Sequence, residues 1–147
     1  MKKFICFMLC AILALSMICT VSADADEITV LVNGEKVEFD VNPILENDRT
    51  LVPMRAIFEK LGAFVGWDDE TQTVFATDGN AIITLQIDNN LMTKSYLNAE
   101  NEAITLDVPA RLVGDRTLVP VRAISEAFGC TVDWSDETQT VVITTAQ

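Results

Sequence analysis

The chain has 147 residues, room for one ordinary domain or two small ones. Half of it is apolar and 22% is charged, so it can bury a core and is not disordered by composition. Ten bases against 22 acids leave a net charge of −12, a field that repels phosphate backbones and excludes nucleic acid as a partner. There is no histidine, which removes Ser-His-Asp and Cys-His catalysis and the His-based zinc and copper sites together.

Residues 1–25 read as a signal peptide. Lys2 and Lys3 open it, Phe4 to Val21 is an almost unbroken apolar run, and Ala23 and Ala25 each end a small-residue cleavage pattern. The run is long enough that an uncleaved membrane anchor is the competing reading. The absence of a stop-transfer flank favours removal, after which no stable membrane insertion is expected. Cleavage after Ala23 removes two lysines and no acid, leaving eight bases against 22 acids, or −14. Cys6, Cys10 and Cys19 leave as well, so Cys130 stays alone. It is either a small buried apolar side chain or half of an intermolecular disulfide.

Residues 26–147 form the domain, and it is one unit written twice. Asp48 to Thr77 matches Asp115 to Thr144 at an offset of 67 without a gap, with 20 of 30 positions identical. Earlier in each copy Val37, Phe39, Asp40 and Val41 face Ile104, Leu106, Asp107 and Val108. The copies therefore run over 28–77 and 95–144. Two copies are too few for a solenoid, which leaves one compact body or two small domains in contact.

In chain order, Ile28 to Val32 predicts a strand that ends at the Asn33-Gly34 hairpin turn. Lys36 to Val41 alternates and predicts its partner. Asn47-Asp48 marks a turn and Thr50 to Val52 a short extended piece. Pro53 then suits the first position of a helix running to about Leu61, with Met54, Ile57, Phe58 and Leu61 as its apolar stripe and Gly62 as its cap. A hairpin follows, Ala63 to Trp67 and Thr73 to Thr77, turning through Asp68 to Thr71. The connecting segment adds a strand at Ala81 to Ile87 and a turn at Asp88 to Asn90. The second copy repeats the set with Pro120, Val121, Ile124, Phe128 and Gly129, then Thr131 to Trp134 and Thr140 to Thr145. Helices of about nine residues are too short to persist alone, so each must lie against a sheet. The expected fold is α+β: two copies of an antiparallel sheet, each wrapped on one short helix, related by pseudo-two-fold symmetry. Exchange of strands between the copies is compatible with the pattern.

Val32-Asn33-Gly34-Glu35-Lys36-Val37, followed by Asp48 through Asp68 and again by Asp115 through Ser135, resembles the copper amine oxidase N-terminal-like domain of secreted bacterial proteins. The resemblance implies a five-stranded antiparallel sheet twisted around a helix. It also implies a stalk-type, non-catalytic module of exported and envelope proteins. Gly66 and Asp133 fall at a variable position, Glu100-Asn101 stands where the first copy has its Asn-Gly turn, and Ser135 replaces the acid after Trp134.

No residue set demands catalysis. Amine oxidation would need three histidines and a quinone-forming tyrosine, whereas the one tyrosine, Tyr96, lies between Ser95 and Leu97. No metal site and no cofactor are expected. Asp68, Asp69 and Glu70, with Asp136 and Glu137, form turns, calcium binding or a glycosidase pair being weaker alternatives. Arg55 and Arg122 are expected to bond carboxylates or open carbonyls at the strand-to-helix junction, or else to form an anion or glycan-acid site; each has an acid four residues on, Glu59 and Glu126. Trp67 and Trp134 either pack over the helices or present a sugar-stacking platform. Arg55, Arg122, Trp67 and Trp134 are thus the candidate binding residues. The expected function is a secreted, non-catalytic module for protein interaction or adhesion at the cell envelope, with cell-surface association left open. Carbohydrate or peptidoglycan binding is the alternative, and an acid-only hydrolase ranks third. The partner would be an envelope protein or a cell-wall glycan.

Overall fold

The computed structural model describes residues 27–146, so the signal peptide expected over residues 1–25 lies outside the described residues. β1 (Thr29–Val32) turns into β2 (Glu35–Lys36) through Asn33 and Gly34, at φ 50° and 84°. Both turn residues are left-handed, the condition of the tight hairpin that Asn-Gly signals. The partner strand expected over residues 36–41 is shorter than the alternation suggests. After Val37 N–H donates to the Val30 carbonyl (2.9 Å), the chain leaves the ladder and crosses towards the second copy.

β3 (Ile44–Glu46) and β4 (Arg49–Pro53) then form a second hairpin, closed by left-handed Asn47 and Asp48. α1 (Met54–Lys60) starts directly after Pro53 and ends at Gly62, φ 76°, where Gly62 and Ala63 N–H groups return to the Glu59 and Phe58 carbonyls. β5 (Phe64–Asp68), β6 (Thr73–Thr77), β7 (Ala81–Gln86), β8 (Leu91–Tyr96) and β9 (Glu102–Thr105) follow as a meander. The second copy continues with β10 (Arg111–Val113), β11 (Arg116–Pro120), α2 (Val121–Ala127), β12 (Thr131–Ser135) and β13 (Thr140–Thr144).

Three sheets result. The central one has the order β10-β11-β4-β3, with Val119 facing Val52, its own counterpart in the repeat. The second is the antiparallel meander β5-β6-β7-β8-β9, and the third is β12-β13-β1-β2. The expectation of wholly antiparallel sheets within each copy is corrected here. β1 runs parallel to β13, pairing Thr29 with Thr140 through Val32 with Ile143. A strand from the first copy has crossed to the second copy's hairpin. Parallel pairing needs a long connection, and nearly the whole chain between the two strands supplies it. Asn33 secures the seam further, accepting from Thr145 N–H at 3.1 Å.

The helices are shared in the same way: α1 packs on its own β5 and on β11, α2 on its own β12 and on β4. β4 and β11 bury both faces. Val52 and Val119 enter the main core, while Leu51 and Leu118 join Val108 in a smaller cluster on the other side. This explains why Thr-Leu-Val-Pro does not alternate, because a central strand with both faces covered has no solvent side. The main core mixes both copies. Phe58 of α1 meets Phe128, just past α2, edge to face at 5.1 Å between ring centroids. The counterpart positions hold Ser125 and Leu61, so each copy contributes one ring where two would overfill the space. Ser125 is fully buried and its hydroxyl has no partner among the described residues. Cys130, whose N–H donates to the Ser125 carbonyl at 3.0 Å, is buried as well, and burial pushes its thiol pKa up, so it packs as a small apolar group.

Candidate functional site

The two hairpins place their tryptophans on the inner, helix-facing side. Trp67 pairs across the ladder with Val74, and Trp134 with Val141, both of which are buried. Each ring is nevertheless open along one side: Trp67 is 36% exposed and Trp134 is half-buried against the main core. Packing and exposure, which sequence sets as alternatives, coexist. The indole N–H of Trp67 donates to Asp69 at 3.3 Å and that of Trp134 to Asp136 at 2.6 Å, so an acid of the turn fixes each ring. Asp68 is spent on the same turn, accepting from the Glu70 and Thr71 N–H groups. These carboxylates therefore shape the hairpins, as their turn chemistry predicts.

Each tryptophan forms one wall of a cleft. The larger, about 800 Å³, lies between the β3–β4 turn of the first copy and α2 with β12 of the second. The smaller, about 690 Å³, lies between the β10–β11 turn of the second copy and α1 with β5 of the first. Every residue lining the smaller cleft has its counterpart, 67 positions later or earlier in the chain, in the larger one. Arg122 and Trp134 line the larger cleft, Arg55 and Trp67 the smaller, so the four candidate binding residues gather as two matching pairs.

The arginines behave differently. Arg122 donates to the Val132 carbonyl of β12 at 3.1 Å and lies 3.6 Å from Glu126. It thus ties α2 to the hairpin, not to the strand-to-helix junction expected of it. Arg55 is exposed and forms no hydrogen bond or ion pair among the described residues, so the junction bond expected of it is absent there. Two other arginines that recur in the repeat, each the first residue of its strand, β4 or β11, bond carboxylates instead. Arg49 of the first copy grips Asp107 of the second at 2.8 and 2.6 Å, and Arg116 of the second grips Asp40 of the first at 2.8 and 2.5 Å. The Arg116 guanidinium holds the Asp40 carboxyl below the usual aspartate pKa, and Asp40 in turn raises that of Arg116. The offset of 67 already aligns Asp40 with Asp107 and Arg49 with Arg116. That they pair crosswise needs the strand exchange to be seen.

The rims are acidic. Six acids and three bases line the larger cleft, five acids and two bases the smaller. Leu45 and Leu112, 55% and 43% exposed, add an apolar side chain to each and were not singled out in the sequence. Their signal would have been the repeat itself, since the two positions correspond. Among the described residues no group of His, Cys, Asp and Glu side chains is arranged to hold a metal ion, and no helix is long and apolar enough to cross a membrane.

Fold and clefts define a twin-repeat α+β scaffold whose polar groups hold shape and line open grooves. The chain belongs to the copper amine oxidase N-terminal domain family, whose sequence pattern matches residues 31–143. A protein named "Protease inhibitor" from Brevibacillus choshinensis is 28% identical over 134 residues, covering 90% of this chain and 39% of that protein. The chain thus spans well under half of that relative. No catalytic family is indicated. No solved structure matches the chain.

Proposed function

We propose that this chain is a secreted, non-catalytic interaction module that works at the bacterial cell envelope, with its two clefts as the contact surfaces. The reading rests on one observation above all: two grooves lined by corresponding residues, each with an open tryptophan ring. The body carrying them is pseudo-two-fold in this reading. The facing of Val52 and Val119 and the crosswise Arg–Asp pairs support that symmetry. Export is supported by the basic and apolar leader of residues 1–25. A relative named as a protease inhibitor fits a module that acts by binding another protein.

The test is binding of the mature protein to solubilised surface proteins of the producing cell, compared with the Trp67→Ala/Trp134→Ala variant. Saturable binding to a surface protein, lost in a variant that still melts cooperatively, is expected. Undiminished binding by that variant would remove the clefts from the account. The open ring of Trp67 also favours a second reading, stacking on a cell-wall sugar. Co-sedimentation with purified peptidoglycan that depends on the tryptophans would select it.

A further inference from the structure

We propose that each cleft receives a basic side chain, arginine or lysine, from an extended segment of a polypeptide partner, so that one chain holds two such side chains at once. This deepens the interaction reading above and rests on it.

The indole N–H of each tryptophan is already taken by an acid of the adjacent turn, Asp69 or Asp136. The ring's orientation is therefore set before any ligand arrives, and what remains open is apolar ring surface. A cation over such a face is attracted by the ring quadrupole, most strongly for tryptophan. The module makes this kind of contact on its own surface, where the Lys94 ammonium lies 5.0 Å from the Tyr96 ring centroid.

Charge points the same way. In each cleft carboxylates outnumber bases by three. One base in each pairs with one of those same acids, Arg49 with Asp107 and Arg116 with Asp40, which leaves the surplus of three unchanged. In the larger cleft Arg122 is also held, by the Val132 carbonyl and Glu126. An acidic peptide or uronic acid meets net repulsion there. A neutral sugar gains stacking and hydroxyl-to-carboxylate hydrogen bonds but no net charge attraction. A side chain with an apolar stem and a cationic head uses both: the stem lies along Leu45 or Leu112 and the ring, and the head meets the rim acids. Both clefts keep this charge balance although their acids differ, as at Asp133 against Gly66.

The test is a fluorescence and calorimetric titration of the mature protein with the peptide acetyl-Leu-Arg-Leu-Arg-Leu-amide. Controls carry citrulline, which keeps the shape and loses the charge, or glutamate in place of arginine. Trp67→Phe and Trp134→Phe variants report one cleft each. Because a ring substitution also touches packing, Asp48→Asn and Glu102→Gln provide rim variants of the larger cleft that leave the tryptophans in place. We expect two saturable sites per chain, on the order of tenfold weaker binding with citrulline, and a similar loss on raising salt to about 1 M, where screening is nearly complete. Asp48→Asn with Glu102→Gln should weaken only the site reported by Trp134. Equal binding of the citrulline peptide, or no binding of the arginine peptide, overturns the inference. If the tryptophan-dependent capture of a surface protein persists in that case, the interaction module stands and only the cationic specificity falls. Tryptophan-dependent binding of cell-wall fragments in place of the peptide overturns both.

Discussion

At the scale of single residues, the two copies show which differences a shared scaffold tolerates. Gly66 faces Phe75 across the ladder, whereas Asp133 faces Val142 at the corresponding rung. A Cβ on Gly66 would come within 2.0 Å of the Phe75 ring, so the ring lies directly over the bare backbone. The first copy thus fills with one large side chain the space that the second fills with two. Gly66→Ala should destabilise by roughly 1 kcal/mol through forced displacement of that part-exposed ring. Phe75→Val should recover most of the loss, which a double-mutant cycle of melting curves measures. Equal losses from Gly66→Ala with and without Phe75 would contradict the contact.

The Asp40–Arg116 pair carries a pH signature. An unperturbed aspartate titrates at about pH 3.9, and Asp40 titrates below its ordinary value because Arg116 bonds its charged form. The pair's contribution is therefore present above the unfolded-state pKa and disappears as pH falls through the lower folded value. Asp40→Asn should lower the neutral plateau of a melting-temperature profile slightly and converge with the parent as pH falls through the lower folded value, which flattens the acid limb. The difference should shrink in high salt, since both partners are solvent-exposed.

At the scale of elements, two helices of seven residues are kept in place by what they touch. Arg122 supplies one such tie, from the first turn of α2 to the β12 backbone. Arg122→Ala should cost about 1 kcal/mol. Arg55→Ala, without that tie, should stay within about 0.5 kcal/mol of the parent. Chemical denaturation of the two variants side by side separates them, and equal losses would contradict the distinction.

Elements with strong local signals were legible in sequence: the Asn33-Gly34 hairpin, the Pro-initiated and Gly-capped helices, and the β5–β6 and β12–β13 hairpins. β3 and β10 were not, because three residues carry no period. Their trace was indirect, in turn residues that left Thr-Leu-Val without a partner strand. β8 was missed as well, since Leu91 to Tyr96 buries only Met92 fully and so lacks a clear apolar stripe. The candidate side chains were legible as residues, since tryptophan and arginine recur at the repeat offset. Their grouping into clefts was not, because each cleft takes one wall from each copy, and contacts between copies leave no mark in local sequence.

At the scale of the whole molecule, neither copy is self-sufficient. β1 completes the second copy's sheet, β4 pairs with β11, and Phe58 closes on Phe128. A fragment of residues 27–80 would expose the Val30, Val52 and Phe58 side chains that these contacts bury. Expressed alone, it should show no cooperative thermal transition by circular dichroism, and the same holds for residues 91–146. A stable, cooperatively melting fragment would refute the shared core.

The parallel seam between β1 and β13 also has a mechanical side. It joins the first and last described strands, both running in the same direction. Tension that draws the start of β1 and the end of β13 apart slides one strand along the other. All the rungs are then strained together, where a hairpin peeled from its open end would yield them one after another. Resistance to pulling is governed by the barrier to unfolding, and simultaneous rupture raises that barrier without any change in resting stability. A tether stretched through this seam would hold its shape until the whole ladder gives way.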